Sequence, residues 1–223
     1  MATAPEPSSP PRVPLTRDRV LRAAIQLADQ GGIESLSMRR LGQDLGVEAM
    51  SLYNHVANKD DLLDGIADLV VGEIEVPVPG QDWKATIRGS AVSAYDVLSR
   101  HPWACGLMMS PARVRPARLR FMEGLLGTLR VGGLSAGMTR FAYHALDSHI
   151  LGFTMWEAGY TAGSQDAADL ASDFLQELSL VDYPYLAEHV QEHIAPSAGK
   201  GVREFEFSLD FLLDGLQSLL DAS

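Results

Sequence analysis

The sequence predicts an all-α protein in two parts: a short three-helix unit at the N-terminus that contains a helix-turn-helix, and a longer helical body behind it. Three observations predict it. Apolar residues recur at three- and four-residue spacing almost from end to end, with no convincing run of the strict alternation that marks a half-buried strand. Breaks such as Gly31-Gly32, the PVPG at 77–80, His101-Pro102 and Val131-Gly132-Gly133 cut that periodicity into segments of helical length. The stretch from Ser35 to Asp61, SLSMRRLGQDLGVEAMSLYNHVANKDD, spells two short helices around a tight turn.

Residues 1–14 are rich in Pro and Ser and are expected to form a flexible arm. Thr16 to Gln30 sets Val20, Ala23, Ala24, Leu27 and Ala28 among charged residues, which makes an amphipathic helix ended by Gly31-Gly32. The next helix starts after Ser37, whose hydroxyl can cap the first free N–H groups; Met38, Leu41 and Leu45 turn inward, Arg39 and Arg40 outward. Gly46 supplies the left-handed conformation that ends this helix, and Val47 plugs the space before the next. There Leu52 and Val56 form the buried stripe, which leaves Ala49, Met50, Ser51, Tyr53, Asn54 and His55 on the outer surface. Small residues at the start of a short helix with hydrogen-bonding residues further on suit the B-DNA major groove. Glu48, an odd charge beside phosphates, stands where a carboxylate favours a helix N-terminus. Asn58 and Asp61 form an approximate capping box for a fourth helix, marked by Leu62, Leu63, Ile66, Leu69 and Val70 and stopped by PVPG. The reading unit is accordingly placed at 15–75 and the body at 76–223.

Helices are expected in the body near 83–100, 103–110, 113–131, 135–160, 167–180, 183–194 and 202–221. Gly199 and Gly201, flanking Lys200, mark entry to the last of them. That helix carries Phe205, Leu209, Leu212, Leu216 and Leu219 on one face, while Phe207, Phe211, Leu213 and Leu220 widen the apolar arc. It must bury two sides, one against its own core and one against a second subunit. The segment 135–160 behaves alike, with Phe141, Ala145, Gly152, Phe153, Trp156 and Tyr160 near one face. Two such helices from each subunit make a four-helix homodimer interface.

The formal net charge of −11 argues against nucleic acid until its distribution is considered. From Arg12 to Lys59 seven basic residues face five acidic ones, whereas the remainder is strongly acidic. An acidic body repels DNA except through the small reading head, which suppresses non-specific binding. The single Cys105 forms no intrachain disulfide, and no segment resembles a signal peptide or an apolar span of about 18 residues, so no membrane contact and a reducing cytoplasm are expected.

Residues from about 16 to 75, centred on the string LGV…SLYNHVANKDDLL, resemble the DNA-binding domain of the tetracycline-repressor (TetR) family of bacterial transcription regulators. In that family the matching Tyr53, His55 and Lys59 hold phosphates and neighbouring bases, and Arg39 and Arg40 reach DNA from the preceding helix. Together with the outward Met50, Ser51 and Asn54 they form the expected DNA-binding set; Arg12 of the arm is a further contact. The resemblance implies a ligand-responsive repressor that binds double-stranded palindromic operator DNA as a homodimer. A small hydrophobic or aromatic effector releases it from a C-terminal ligand-binding and dimerisation domain, and no cofactor or enzymatic activity is implied.

For the effector, the sequence offers Trp103, Leu107, Met108, Met109, Phe121, Met122, Tyr143, His149, Phe153 and Trp156, large or adaptable residues with Tyr143 and His149 as polar anchors. Tetracycline-binding members hold a magnesium chelate through a histidine after their fifth helix. The matching ACGLMMS at 104–110 has none, and no metal site is expected. The GLSAG at 133–137 has the literal pattern of a hydrolase nucleophile elbow, but it follows a helix and Ser135 reads as an N-cap. His189 and His193 lie one turn apart without a third ligand and read as a solvated face. The alternative to a repressor is a helical binding or structural module without DNA affinity.

Overall fold

The computed structural model describes residues 14–80, 82–109, 115–162, 182–194 and 203–222, and every regular element among them is helical. The expected helix at 167–180, residues 1–13 of the arm with Arg12, and Gly199–Gly201 lie outside them. The chain divides into two compact units, Met1–Ile66 and Ala67–Ser223. That division falls inside a helix.

In the first unit α1 (Arg17–Gly31) opens on Thr16, whose hydroxyl accepts from the Arg19 N–H at 3.2 Å, and buries Val20, Leu21, Ala23, Ala24, Leu27 and Ala28. A single 3₁₀ turn, Ile33–Ser35, leads to α2 (Met38–Leu45). Its cap is Ser37, with Oγ accepting from the Arg40 N–H at 3.2 Å. Gly46 ends α2 at φ 67°, ψ 34°, the left-handed geometry that glycine adopts without a Cβ penalty. A Cβ at Gly42 would sit 2.9 Å from the Val47 carbonyl, so this glycine lets α2 cross close to α3 (Ala49–Leu52). Of the expected inward trio on α2 only Leu41 is fully buried; Met38 and Leu45 are half-buried.

The reading helix is shorter than its periodicity predicts. After Leu52 the chain continues through tight turns, Tyr53 N–H to the Met50 carbonyl and His55 N–H to that of Leu52, and closes on buried Val56. Glu48 occupies the N-cap position of α3, but its side chain makes no capping bond. Next comes α4 (Lys59–Val71), which begins in the first unit and ends in the second.

The second unit comprises the end of α4 with α5 (Trp83–Arg100), α6 (Trp103–Met108), α7 (Pro116–Val131), α8 (Ala136–Ala162), α9 (Pro184–Ile194) and α10 (Glu204–Asp221). Ile87, Ala91 and Leu98 of α5 are buried with Leu125 and Leu129 of α7, Leu146 and Ile150 of α8, and Phe205, Leu209 and Leu213 of α10. An ionic ladder aligns α5 with α10: Lys84 pairs with Asp214, and Arg88 donates to Asp210 at 2.7 Å and Glu206 at 2.8 Å. Phe205 is 0% exposed and belongs to the subunit's own core, whereas Phe207 at 68% and Phe211 at 76% carry the outward apolar face. On α8, Phe141, Ala145, Gly152, Met155 and Trp156 are exposed, but Phe153 turns inward.

Candidate nucleic-acid interface and effector site

The expected DNA-binding residues gather on one stretch of the first unit. Arg39 and Arg40 are exposed at the start of α2; Met50 is 75% exposed on α3; Tyr53, Asn54 and Lys59 are exposed, and Ser51 and His55 half-buried. The unit holds seven basic and nine acidic residues, a net of −2 that leaves −9 of the −11 to the second unit. Pairing sharpens that contrast. Arg22 is bridged to Asp18 at 2.8 Å and Arg17 to Asp61 at 2.7 Å, while no ion pair described in this unit includes Arg39, Arg40 or Lys59. Those three cations stay available to phosphates.

One pair does more than neutralise. Arg17 Nη1 and Nη2 reach Asp61 Oδ2 and Oδ1 at 2.9 and 2.7 Å, and Nη1 also donates to the His55 carbonyl at 2.9 Å. Asp61 accepts from the Ala57 N–H at 2.8 Å, and its own N–H is capped by Asn58 Oδ1 at 2.8 Å. The capping box is thus real but reaches back one residue further than expected. This fork, spanning 44 residues in sequence, fixes the turn between Tyr53 and Lys59 against α1. Nothing in the local pattern signals it. The Arg17 hydrogen bond, reinforced by that of Ala57, lowers the Asp61 pKa to about 2. A depressed carboxylate stabilises the fold above its unfolded pKa of about 3.9, and the contribution is lost as pH falls towards 2. Asp61→Ala is expected to weaken operator binding by up to about tenfold, the pair being partly solvated, without loss of helicity. Gel retardation beside circular dichroism checks this; unchanged affinity would show that the turn holds itself.

In the second unit Trp103, Phe121 and Tyr143 are buried; Leu107, Met108, Met122, His149 and Phe153 are half-buried; Met109 and Trp156 are exposed. His149 and Phe153 join Tyr95 and Phe205 in one aromatic cluster. Phe205 stacks on Tyr95 at 4.2 Å and on His149 at 4.9 Å, with Phe153 edge-on to Phe205 at 5.6 Å. His149 Nε2 lies 3.3 Å from both the Phe205 carbonyl and Ser208 Oγ, so one polar end of the ring is engaged by α10. Burial lowers its pKa below the usual imidazole range, against an opposing pull from the carbonyl. A cavity of about 340 Å³ is lined by Tyr95, Asp96, Ser99, Pro102, Thr154, Glu157, Ala158 and Arg203, none of them in the expected effector set. The Tyr95 hydroxyl donates to Glu157, and burial followed by that carboxylate raises its pKa to about 12.

Ser135 Oγ accepts from the Met138 N–H at 3.3 Å, the N-cap expected of it, between the helices α7 and α8. His189 is exposed on α9, and the side chain of His193 lies outside the described residues. Among the described residues no three potential ligands are grouped to hold a metal ion, and no helix is long and apolar enough to cross a membrane.

A helix-turn-helix with exposed cations, in a chain whose regular elements among the described residues are all helical, defines a helix-turn-helix regulator. Residues 20–66 match the family model described as "Bacterial regulatory proteins, tetR family", and residues 76–220 that described as "Tetracyclin repressor-like, C-terminal domain". Over 228 aligned residues the chain is 32% identical to the HTH-type transcriptional repressor DrrR1 of Streptomyces coeruleorubidus, covering 98% of this chain and 83% of that protein. It is 27% identical to the tetracycline repressor protein class D of Escherichia coli, over 93% of this chain and 92% of that one. Among solved structures it is similar to Streptomyces coelicolor ActR in complex with actinorhodin, with a TM-score of 0.72 and 28% identity over 93% of this chain and 99% of that one. The chain belongs to the TetR family of bacterial transcriptional regulators. It is a ligand-responsive DNA-binding repressor.

Proposed function

We propose that this repressor binds a palindromic operator as a homodimer through Arg39, Arg40, Met50, Ser51, Tyr53, Asn54, His55 and Lys59, and that an aromatic effector held in the body releases it. The observation that carries the coupling is α4. This helix starts at Lys59 in the reading surface and ends in the body, where Asp68 Oδ1 accepts from the Ala117 N–H at 2.8 Å at the start of α7. A ligand that shifts the start of α7 therefore acts on α4. Readers in a two-fold dimer must enter successive major grooves about 34–36 Å apart, so a tilt of a few ångströms in each uncouples them. Of the residues expected at the effector, Trp103, Leu107, Met108, Phe121, Met122, Tyr143, His149 and Phe153 are at least half-buried and remain the proposed lining; Met109 and Trp156 stand at its exposed margin. A ligand-bound relative, ActR with actinorhodin, supports an organic effector. In this reading the chain is a regulator without a reaction of its own that works in the cytoplasm, and Ser135 of the GLSAG stretch serves as an N-cap.

Gel retardation of the promoter region beside its own gene, repeated with a panel of hydrophobic aromatic compounds, tests this reading. Specific retardation reversed by a panel member supports it, and failure to retard that DNA or related palindromes contradicts it. A magnesium–tetracycline chelate is not expected to release the operator. Leu107, Met108 and Met109 stand where the metal-anchoring histidine would, and thioethers are poor ligands for a hard cation. Release by micromolar tetracycline that depends on magnesium would overturn this exclusion.

A further inference from the structure

We propose that Arg118 is the polar anchor of the effector site and that it holds an uncharged carbonyl oxygen of an aromatic ligand; this rests on the effector reading above. Arg118 lies in the first turn of α7 with its side chain only 11% exposed. The hydrogen bonds described for it all leave from one nitrogen: Nη2 donates to both oxygens of Asp147 on α8, at 2.6 and 2.7 Å, and to the Tyr143 hydroxyl at 3.2 Å. Nη1 is buried and has no acceptor. Arginine–carboxylate pairs favour a fork with one oxygen on each nitrogen. Here both oxygens crowd onto Nη2, and the second arm of the guanidinium is kept out of the pair. Native proteins leave few buried donors unsatisfied, and a charged one is among the most costly.

The surroundings define what the free arm can take. The guanidinium carbon is 5.8 Å from the ring centroid of buried Phe121, and the buried Tyr143 ring lies on the other helix of the pair, so aromatic surface is supplied from both α7 and α8. Asp147 already neutralises the guanidinium. An uncharged acceptor adds no net charge, whereas a carboxylate would bring an uncompensated negative charge beside Asp147. The adjacent Ala117 donates its N–H to Asp68 of α4, so a ligand drawn onto Arg118 acts on the turn of α7 that α4 caps.

The test titrates the full-length protein, followed by tryptophan fluorescence, with three compounds of one ring system: 9-fluorenone, fluorene and fluorene-9-carboxylate. The ketone is expected to bind about tenfold more tightly than the hydrocarbon and more tightly than the carboxylate. In Arg118→Lys the ammonium keeps the Asp147 pair but has no second nitrogen; fluorene affinity should hold while the ketone preference disappears. Should that variant not fold, Arg118→Leu with Asp147→Leu replaces the pair by apolar groups and must likewise lose the preference. Equal binding of ketone and hydrocarbon by the unaltered protein would overturn the anchor and leave the pocket standing. A ketone preference that survives either variant, or a carboxylate bound best, would also overturn it. Absence of saturable quenching by all three compounds would overturn the pocket reading and the anchor together.

Discussion

Phe211→Glu is expected to split the dimer into folded monomers and to remove operator binding at concentrations where the parent protein binds fully. Phe207 and Phe211 on α10 and Phe141 and Trp156 on α8 are exposed apolar side chains on two neighbouring helices, the kind of patch that marks an interface. An unpaired carboxylate in such a seam must be desolvated, and the two-fold axis brings it in twice. At about 2 kcal/mol per buried aromatic lost, the two copies weaken association on the order of a thousandfold. A monomer presents one reader, which covers a single half-site. Phe205→Glu is the control: with Phe205 inside the subunit's own core, that change should unfold the body instead. Sedimentation at micromolar concentration, read beside circular dichroism, separates the two outcomes. A Phe211→Glu protein that remains a dimer would place the interface elsewhere.

Tyr53→Ala and Lys59→Ala are expected to weaken operator binding in distinguishable ways. Tyr53 is exposed, while Leu52 and Val56 beside it carry the packing, so its removal costs contacts to DNA and little stability. At one hydrogen bond per half-site, the dimer should lose tenfold or more, on the order of 1.4 kcal/mol at least. Lys59 is a point charge at the start of α4, and its loss should weaken specific and non-specific DNA alike. Each phosphate no longer neutralised lowers the slope of log affinity against log salt by about 0.9, so nearly two for a dimer. Fluorescence anisotropy across a salt series reads both effects. Unchanged affinity in both variants, with intact dimers, would remove this segment from the interface.

What was legible in the sequence is mainly local. Ser37, Asn58 and Ser135 act at helix ends as their side chains dictate, and Gly46 as its missing Cβ allows, because a cap involves groups only a few residues apart. What was not legible depends on the meeting of distant segments. The Arg17–Asp61 fork joins α1 to α4, and Tyr95 enters the aromatic cluster from α5, a helix that gave no sign of contributing to it. Periodicity showed that α10 is apolar on two sides but not which side faces home; the packing of Phe205 between Tyr95 and His149 decides it. The partners that α10 supplies to His149 Nε2 were likewise invisible in the sequence. The reading helix ends earlier than its periodicity predicts for a related reason: the apolar spacing of Leu52 and Val56 is kept by a turn as well as by a helix.

In the proposed mechanism operator and effector bind opposed conformations connected through α4, and linkage makes that coupling reciprocal. The most direct measurement is the affinity of one releasing compound, by tryptophan fluorescence, with and without saturating operator duplex. With that coupling, operator is expected to weaken the compound by about 5- to 150-fold, equivalent to about 1–3 kcal/mol, and the saturating compound to weaken operator by the same factor. Ligand affinity that is the same on and off the operator would contradict it.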